Sequence, residues 1–164
     1  MPAPRSPANR MAARRFDSPQ QEVYLNLWRT YDRLRMLEDE LFVRYDLTAQ
    51  QYNALRLLLA AHPAKVPTLM LAGQLVSRAP DITRLLDRLH DRGLVVRERS
   101  PEDRRAVHIG ITEAGIALLG RLAPEVRACH LRQVGHLDDG ELGELTRLLK
   151  AARAPHETEE SKWR

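Results

Sequence analysis

The residues of this chain best suited to chemistry are arginines, and they cluster in the middle of the sequence. Between residues 78 and 105 there are eight arginines against six acidic residues, a net charge of +2. A guanidinium group is a planar, permanently charged donor that pairs bidentately with phosphate oxygens and with the edge of a guanine base. Such a cluster fits a polyanionic partner. Charge alone is equally compatible with a solvated helix whose arginines pair with Asp87 and Asp91, so the elements that carry the arginines must decide.

These arginines are predicted to lie on a short helix and on the hairpin that follows it. The apolar residues of residues 80–91 have the spacing of one helical face: Ile82, Leu85, Leu86 and Leu89. Pro80 suits the first helical position and Gly93 suits a helix end. After Gly93 the period changes to two, which predicts two strands with Leu94, Val96, Val107, Ile109 and Ile111 on one face. A helix that leads into a hairpin with arginines at its tip is the outline of a winged helix.

Five further helices are predicted around this segment. Ser18 with Gln21 and Thr48 with Gln51 form capping boxes that begin helices running to about residue 44 and to His62. A shorter helix, capped by Thr68, is expected over residues 68–75, and residues 76–79 form the turn of a helix-turn-helix. Downstream, Thr112 caps a helix in which Pro124 predicts a kink or break near residues 121–123. A last helix begins at Asp138 with Glu141 and carries a leucine stripe.

The order of these elements resembles the multiple antibiotic resistance regulator (MarR) family of bacterial transcription factors. The most specific residues are the wing sequence Asp103-Arg104-Arg105 and the run Ile111-Thr112-Glu113-Ala114-Gly115. The resemblance covers roughly residues 17–153. It implies a mainly α-helical fold with a small β-hairpin wing. A winged helix-turn-helix (46–111) would lie between dimerisation helices (17–45 and 112–153), with a flexible basic arm (1–16) and a flexible tail (154–164).

The resemblance implies a sequence-specific DNA-binding transcriptional regulator, most simply a repressor, that binds an inverted-repeat operator as a homodimer. In a major groove the helix would present Ala79, Pro80, Thr83 and Arg84 to the bases. Phosphate contacts are expected from Thr68, Ser77, Arg78 and Arg88. By resemblance Arg105, beside Arg104, enters a minor groove, and Asp103 steers it. Asp87 and Asp91 would be repelled by phosphate, so we expect the helix to tilt its C-terminal half out of the groove.

A small aromatic or phenolic effector that releases the DNA is also implied. Trp28, Tyr31, Tyr52 and Arg56 are candidates to line its cleft, although ordinary core packing explains the aromatic residues as well. Two alternatives stay open. One is a constitutive or architectural DNA-binding protein without ligand response, and the other is a thiol-based oxidant sensor that uses Cys129.

The composition argues against other classes of protein. The chain has 164 residues, a net charge of +4, one cysteine and six histidines. The histidines and the cysteine lack the spacing of a zinc site, and no nucleophile elbow or phosphate-binding glycine loop occurs, so we expect no enzyme, metal or cofactor. No apolar run approaches the ~20 residues that span a bilayer, and no signal peptide is evident. A cytoplasmic protein without a membrane partner is therefore expected.

Overall fold

A computed structural model describes residues 16–77, 81–99 and 106–157. It has six α-helices and three strands within these ranges, ending in a short 3-10 helix, Ala154–His156. In chain order they are α1 (Pro19–Val43), α2 (Ala49–Ala61), β1 (Val66–Pro67), α3 (Thr68–Gln74), α4 (Ile82–Asp91), β2 (Val95–Arg99), β3 (Val107–Ile111), α5 (Glu113–Val134) and α6 (Asp139–Arg153). The predicted mainly α-helical winged fold is confirmed. The basic arm falls almost wholly outside the described residues, as does most of the predicted tail.

The chain divides into two compact units after Met36, so that α1 contributes to both. The start of α1 departs slightly from its prediction. The Ser18 hydroxyl accepts from the Gln21 N–H as expected, but the Gln21 side chain accepts from the N–H of Asp17 instead of Ser18. The capping box therefore spans one residue more than predicted.

The second unit, residues 37–164, contains the hydrophobic core. Its most buried large side chains come from α2, α3, α4, both long strands and α5: Leu55, Leu58, Leu71, Leu86, Leu89, Val95, Ile109 and Leu122. The predicted apolar face of α4 is confirmed, with Leu85, Leu86 and Leu89 buried and Ile82 packed against the core. Because that face is held in the core, the opposite face of α4 must point outward.

The sheet contains a strand that the sequence did not predict. Its order is β1-β3-β2, all antiparallel, and the two-residue β1 pairs Val66 with Ile109. The predicted phase of β2 is wrong, since Val95 is buried while Val96 is 41% exposed. Gly93 adopts a left-handed φ of 67°, and the Leu94 N–H bonds to the Leu89 carbonyl before the strand begins. Leu94 therefore belongs to the turn, and alternation begins one residue later than predicted.

Three predicted helix features are corrected. The helix α4 begins at Ile82 with Asp81 as its N-cap, so Pro80 does not start it. Thr68 makes no cap for α3, because its hydroxyl donates to the Val107 carbonyl at 3.0 Å and ties α3 to β3. The helix α5 runs without interruption through Pro124, which is exposed. The carbonyl that Pro124 cannot satisfy belongs to Gly120, also exposed, where water can replace the lost bond.

Candidate nucleic-acid interface

The outward face of α4 carries three of the predicted DNA-contacting side chains. Thr83, Arg84 and Arg88 are all exposed. Arg84 and Arg88 stand four residues apart and hence on the same side of the helix. The helix thus presents a hydroxyl and two guanidinium groups to solvent, the groups that contact base edges and phosphates in protein–DNA complexes.

Other predicted contacts are placed only in part. Ser77 is exposed, and its hydroxyl accepts from the Gln50 side chain at 3.3 Å. Thr68 is half-buried, and its hydroxyl donates its proton to the Val107 carbonyl. In this arrangement the hydroxyl can only accept a hydrogen bond, so it cannot donate one to a phosphate. The remaining predicted residues lie outside the described residues: Arg78, Ala79, Pro80, Asp103, Arg104 and Arg105.

The N-terminus of α4 already holds a carboxylate. Asp81 accepts from the Arg84 N–H at 2.9 Å. This bond satisfies one free N–H of the first turn, and the negative charge compensates the positive end of the helix dipole. The Asp81 carboxylate would repel a phosphate at this end, so the exposed Arg88, further along α4, is better placed to meet one.

An arginine of the wing strand bridges to the same helix. Arg97 on β2 is half-buried, and its Nη1 lies 2.5 Å from a carboxylate oxygen of Asp87. Its Nη2 donates to the Thr83 carbonyl at 3.2 Å. The sequence identified Asp87 as a residue that phosphate would repel, but gave no sign of this partner ten residues away.

The C-terminal end of α4 is anchored to its neighbours. Arg92 donates to the Tyr45 carbonyl at 3.0 Å and also to the carbonyl of Asp46. The Tyr45 hydroxyl in turn donates to Glu125 on α5, and this bond raises the pKa of Tyr45 and lowers the pKa of Glu125. Arg44 also pairs with Glu125 at 2.5 Å, which lowers that pKa further. The helix is thereby tied to the turn after α1 and, through Tyr45, to α5.

The predicted effector residues occupy different surroundings. Trp28 and Tyr31 on α1 are 61% and 59% exposed and belong to the first unit. Tyr52 on α2 stacks on Phe42 with ring centroids 4.7 Å apart, and Arg56 is exposed. None of the four lines the groove of about 390 Å³ that the second unit contains. That groove is lined by Leu37, Glu40, Leu41, Arg44, Glu125, Ala128, Cys129 and Arg132.

The thiol of Cys129 is buried and has low reactivity. Cys129 is only 4% exposed, and burial raises the pKa of its thiol, with nearby Glu38 adding to the effect. A thiol in that environment is a poor nucleophile, which disfavours the oxidant-sensor alternative.

Among the described residues, no three His, Cys, Asp or Glu side chains cluster as metal ligands. No helix in the described ranges is long and apolar enough to cross a membrane.

Comparison with known proteins agrees with the geometry. The sequence model of the MarR family matches residues 47–107. A crystal structure of a MarR transcription factor from Planctomyces limnophilus is 56% identical, covers 84% of this chain and 99% of that chain, and has a TM-score of 0.67. A mutant MarR from Escherichia coli, solved with operator DNA, is 26% identical over 80% of this chain and 93% of that chain, with a TM-score of 0.72. The transcriptional repressor MprA of Escherichia coli is 28% identical over 72% of this chain and 68% of its own length.

The family resemblance predicted from the wing and the segment after it is therefore confirmed. The high identity with a family member over nearly all of that protein, together with the winged fold, leaves no other assignment to make. The chain belongs to the MarR family of DNA-binding transcriptional regulators.

Proposed function

We propose that this regulator is a repressor that binds an inverted-repeat operator as a homodimer, with α4 in the major groove and the wing in the adjacent minor groove. The observation that carries the proposal is the outward face of α4, where Thr83, Arg84 and Arg88 stand free of the core. Two relatives lend support, since one was solved with operator DNA and another is named a transcriptional repressor.

The homodimer is supported by apolar side chains that the single chain leaves uncovered. Every residue of α6 is at least partly exposed, including three leucines of its stripe, Leu145, Leu148 and Leu149. On α1, Trp28 and Tyr31 are exposed as well. Burying a side chain of this size contributes roughly 1.5–3 kcal/mol, so a second copy that covers such faces gains substantial stability. Leu148→Glu should therefore shift the protein to the monomer in analytical ultracentrifugation.

A dimer of this kind would read two half-sites one DNA turn apart. That spacing is about 34 Å, and it requires the two α4 helices to be held at a fixed separation. An effector that binds better to a different separation would release the DNA, whereas equal affinity for both states would have no effect. The exposed aromatic residues Trp28 and Tyr31 support a site for an aromatic or phenolic compound, with Tyr52 and Arg56 as its other proposed residues.

Substitution of Arg84 tests the reading of DNA by α4. The duplex would be one selected from a random pool, and affinity would be measured by fluorescence anisotropy at several salt concentrations. Arg84→Ala should cost about 1–3 kcal/mol and relax specificity at one base pair per half-site, as expected for loss of a bidentate contact. Arg88→Ala should weaken all sequences equally and reduce the salt slope by about one. Arg127→Ala removes an exposed arginine from α5 and should leave the affinity unchanged. Wild-type specificity in Arg84→Ala would contradict the proposal.

The effector requires a separate test, because a DNA-binding protein without ligand response has the same interface. Thermal unfolding would be followed with benzoate, 4-hydroxybenzoate and phenol, each at millimolar concentration. A ligand held only by the native state raises the midpoint, by an amount that grows with its concentration. A raised midpoint that Arg56→Ala abolishes would support the proposed site. No shift with any of the three would favour the constitutive alternative.

A further inference from the structure

One side chain of the wing strand, β2, contacts α4, the proposed recognition helix, at two points. Arg97 on β2 places its guanidinium group against two successive turns of α4, 2.5 Å from the Asp87 carboxylate and 3.2 Å from the Thr83 carbonyl. Its Nε is buried and has no hydrogen-bond partner among the described residues. Burying a polar nitrogen without a hydrogen-bond partner costs free energy. Solvation of the guanidinium group therefore does not explain why the Arg97 side chain lies in this position.

The partner of Arg97 is the residue of α4 that DNA would otherwise disfavour. Asp87 follows Arg84 by three residues and precedes Arg88 by one, and about half of its side chain is exposed. An unpaired carboxylate there would repel the DNA phosphates, one of which Arg88 is proposed to contact. Arg97 supplies a compensating positive charge from β2 and needs no contact with the DNA to do so.

Folding stability is a weaker explanation of the same contact. An ion pair whose carboxylate is about half exposed contributes little to stability, and α4 is already fixed by Leu85, Leu86 and Leu89 in the core and by Arg92 at its C-terminal end. The contact with Thr83 differs from a simple ion pair, because it joins β2 to the backbone of the helix. That bond adds to the pairing of β2 with β3 in holding the wing strand against α4.

We propose that Arg97 is a positioning residue for DNA binding, which neutralises Asp87 and fixes the wing strand against the recognition helix without contacting the DNA. The inference rests on the proposed reading of DNA by α4. It predicts that loss of Arg97 harms binding mainly by exposing the charge of Asp87 and by freeing the wing, and that removing the charge of Asp87 repairs the first of these effects.

The test uses Arg97→Met, the double variant Arg97→Met with Asp87→Asn, and a matched control. Lys65→Met is the control, because Lys65 pairs with Glu98, the neighbour of Arg97 on the same strand. Each full-length variant is first checked for a wild-type circular dichroism spectrum and thermal midpoint. Affinity for the selected duplex is then measured between 50 and 200 mM salt, the range in which counterion release is readily resolved.

Arg97→Met should weaken specific binding about tenfold, a loss of about 1.4 kcal/mol. The double variant should recover about threefold of that loss, and its salt slope should equal that of the wild type, because no phosphate contact has been removed. Lys65→Met should bind within about twofold of the wild type, as expected for an exposed pair. If Arg97→Met does not fold, Arg97→Lys serves instead. It keeps the charge beside Asp87 but not the fork that reaches both groups, and should lose about threefold.

Three results would overturn the inference. Wild-type affinity in a folded Arg97→Met protein would remove any positioning role. No recovery in the double variant would show that Asp87 is not the reason for the loss. A salt slope reduced by about one in the double variant would mean that Arg97 contacts a phosphate directly. The Arg84→Ala variant tests separately the proposal that α4 reads DNA, on which this inference rests. Unchanged binding by Arg84→Ala would contradict that proposal itself.

Discussion

Removal of the Thr112 hydroxyl should loosen the junction between the recognition helix, the wing and α5. This hydroxyl accepts from the Gly115 N–H at 3.1 Å as the N-cap of α5, and it donates to the Gly93 carbonyl at 2.7 Å in the turn that ends α4. Thr112→Ala removes both bonds. Loss of an N-cap costs roughly 0.5–2 kcal/mol, and loss of a neutral hydrogen bond costs roughly 0.5–1.5 kcal/mol. Gly93 is exposed, so water replaces part of the second bond and the lower half of that range applies.

The expected total is about 2 kcal/mol, measured by urea unfolding at a fixed protein concentration. For a chain of this size it corresponds to a fall of roughly 4–8 °C in the thermal midpoint. Thr112→Ser keeps both bonds and should stay within about 0.5 kcal/mol of the wild type. Thr112→Asp keeps the cap acceptor but cannot donate to Gly93 when ionised, so it should fall between the two. If the serine variant were as unstable as the alanine variant, the hydroxyl bonds would not be the cause.

Three further predictions follow from the local geometry. Gly115→Ala places a Cβ 2.5 Å from a backbone carbonyl oxygen and should destabilise the fold by roughly 1–3 kcal/mol. In Gly120→Ala the new Cβ meets nothing within 4 Å, and the variant should be more stable by about 0.5–1 kcal/mol. Equal effects of the two substitutions in urea unfolding would contradict this contrast. Cys129 should be alkylated by iodoacetamide much more slowly in the native protein than in urea, because burial raises its pKa; equal rates would mean that the thiol is accessible. The pKa of Glu125 is lowered below 4.5, mainly by its bond from Tyr45, so its contribution to stability is present above pH 4.5 and is lost as the pH falls through the lowered value. Tyr45→Phe should reduce that acid-side loss, and an unchanged difference in stability between pH 7 and pH 3 would refute it.

The features predicted correctly from the sequence are those set by neighbouring residues. The capping boxes begun by Thr48 and Asp138 need only a partner three residues away, and both form as predicted. The apolar face of α4 likewise depends on a spacing of three and four residues. Periodicity of this kind identifies an element and its inward face without knowledge of what packs against it.

Some of the incorrect features depend on partners that are distant in the sequence. Thr68 resembles an N-cap, but its hydroxyl bonds to Val107 on a strand 39 residues away. The two-residue strand β1 exists only because β3 lies beside it, and its Pro67 would by itself argue against a strand. Arg97 was counted as one basic residue among eight, since nothing in the local pattern shows that it faces Asp87. The contacts that position α4 could therefore not be predicted from the sequence, whereas the outward-facing residues of α4 could.

Selection of bound duplexes from a random DNA pool at near-physiological salt tests the central claim most directly. A homodimer that reads DNA with α4 should enrich an inverted repeat whose half-site centres lie about 10–10.5 base pairs apart. Arg84→Ala, run through the same selection, should lose the preference at one position of each half-site. Enrichment of a single half-site would contradict the dimer, and a folded protein that enriches no sequence would contradict the reading of DNA by α4.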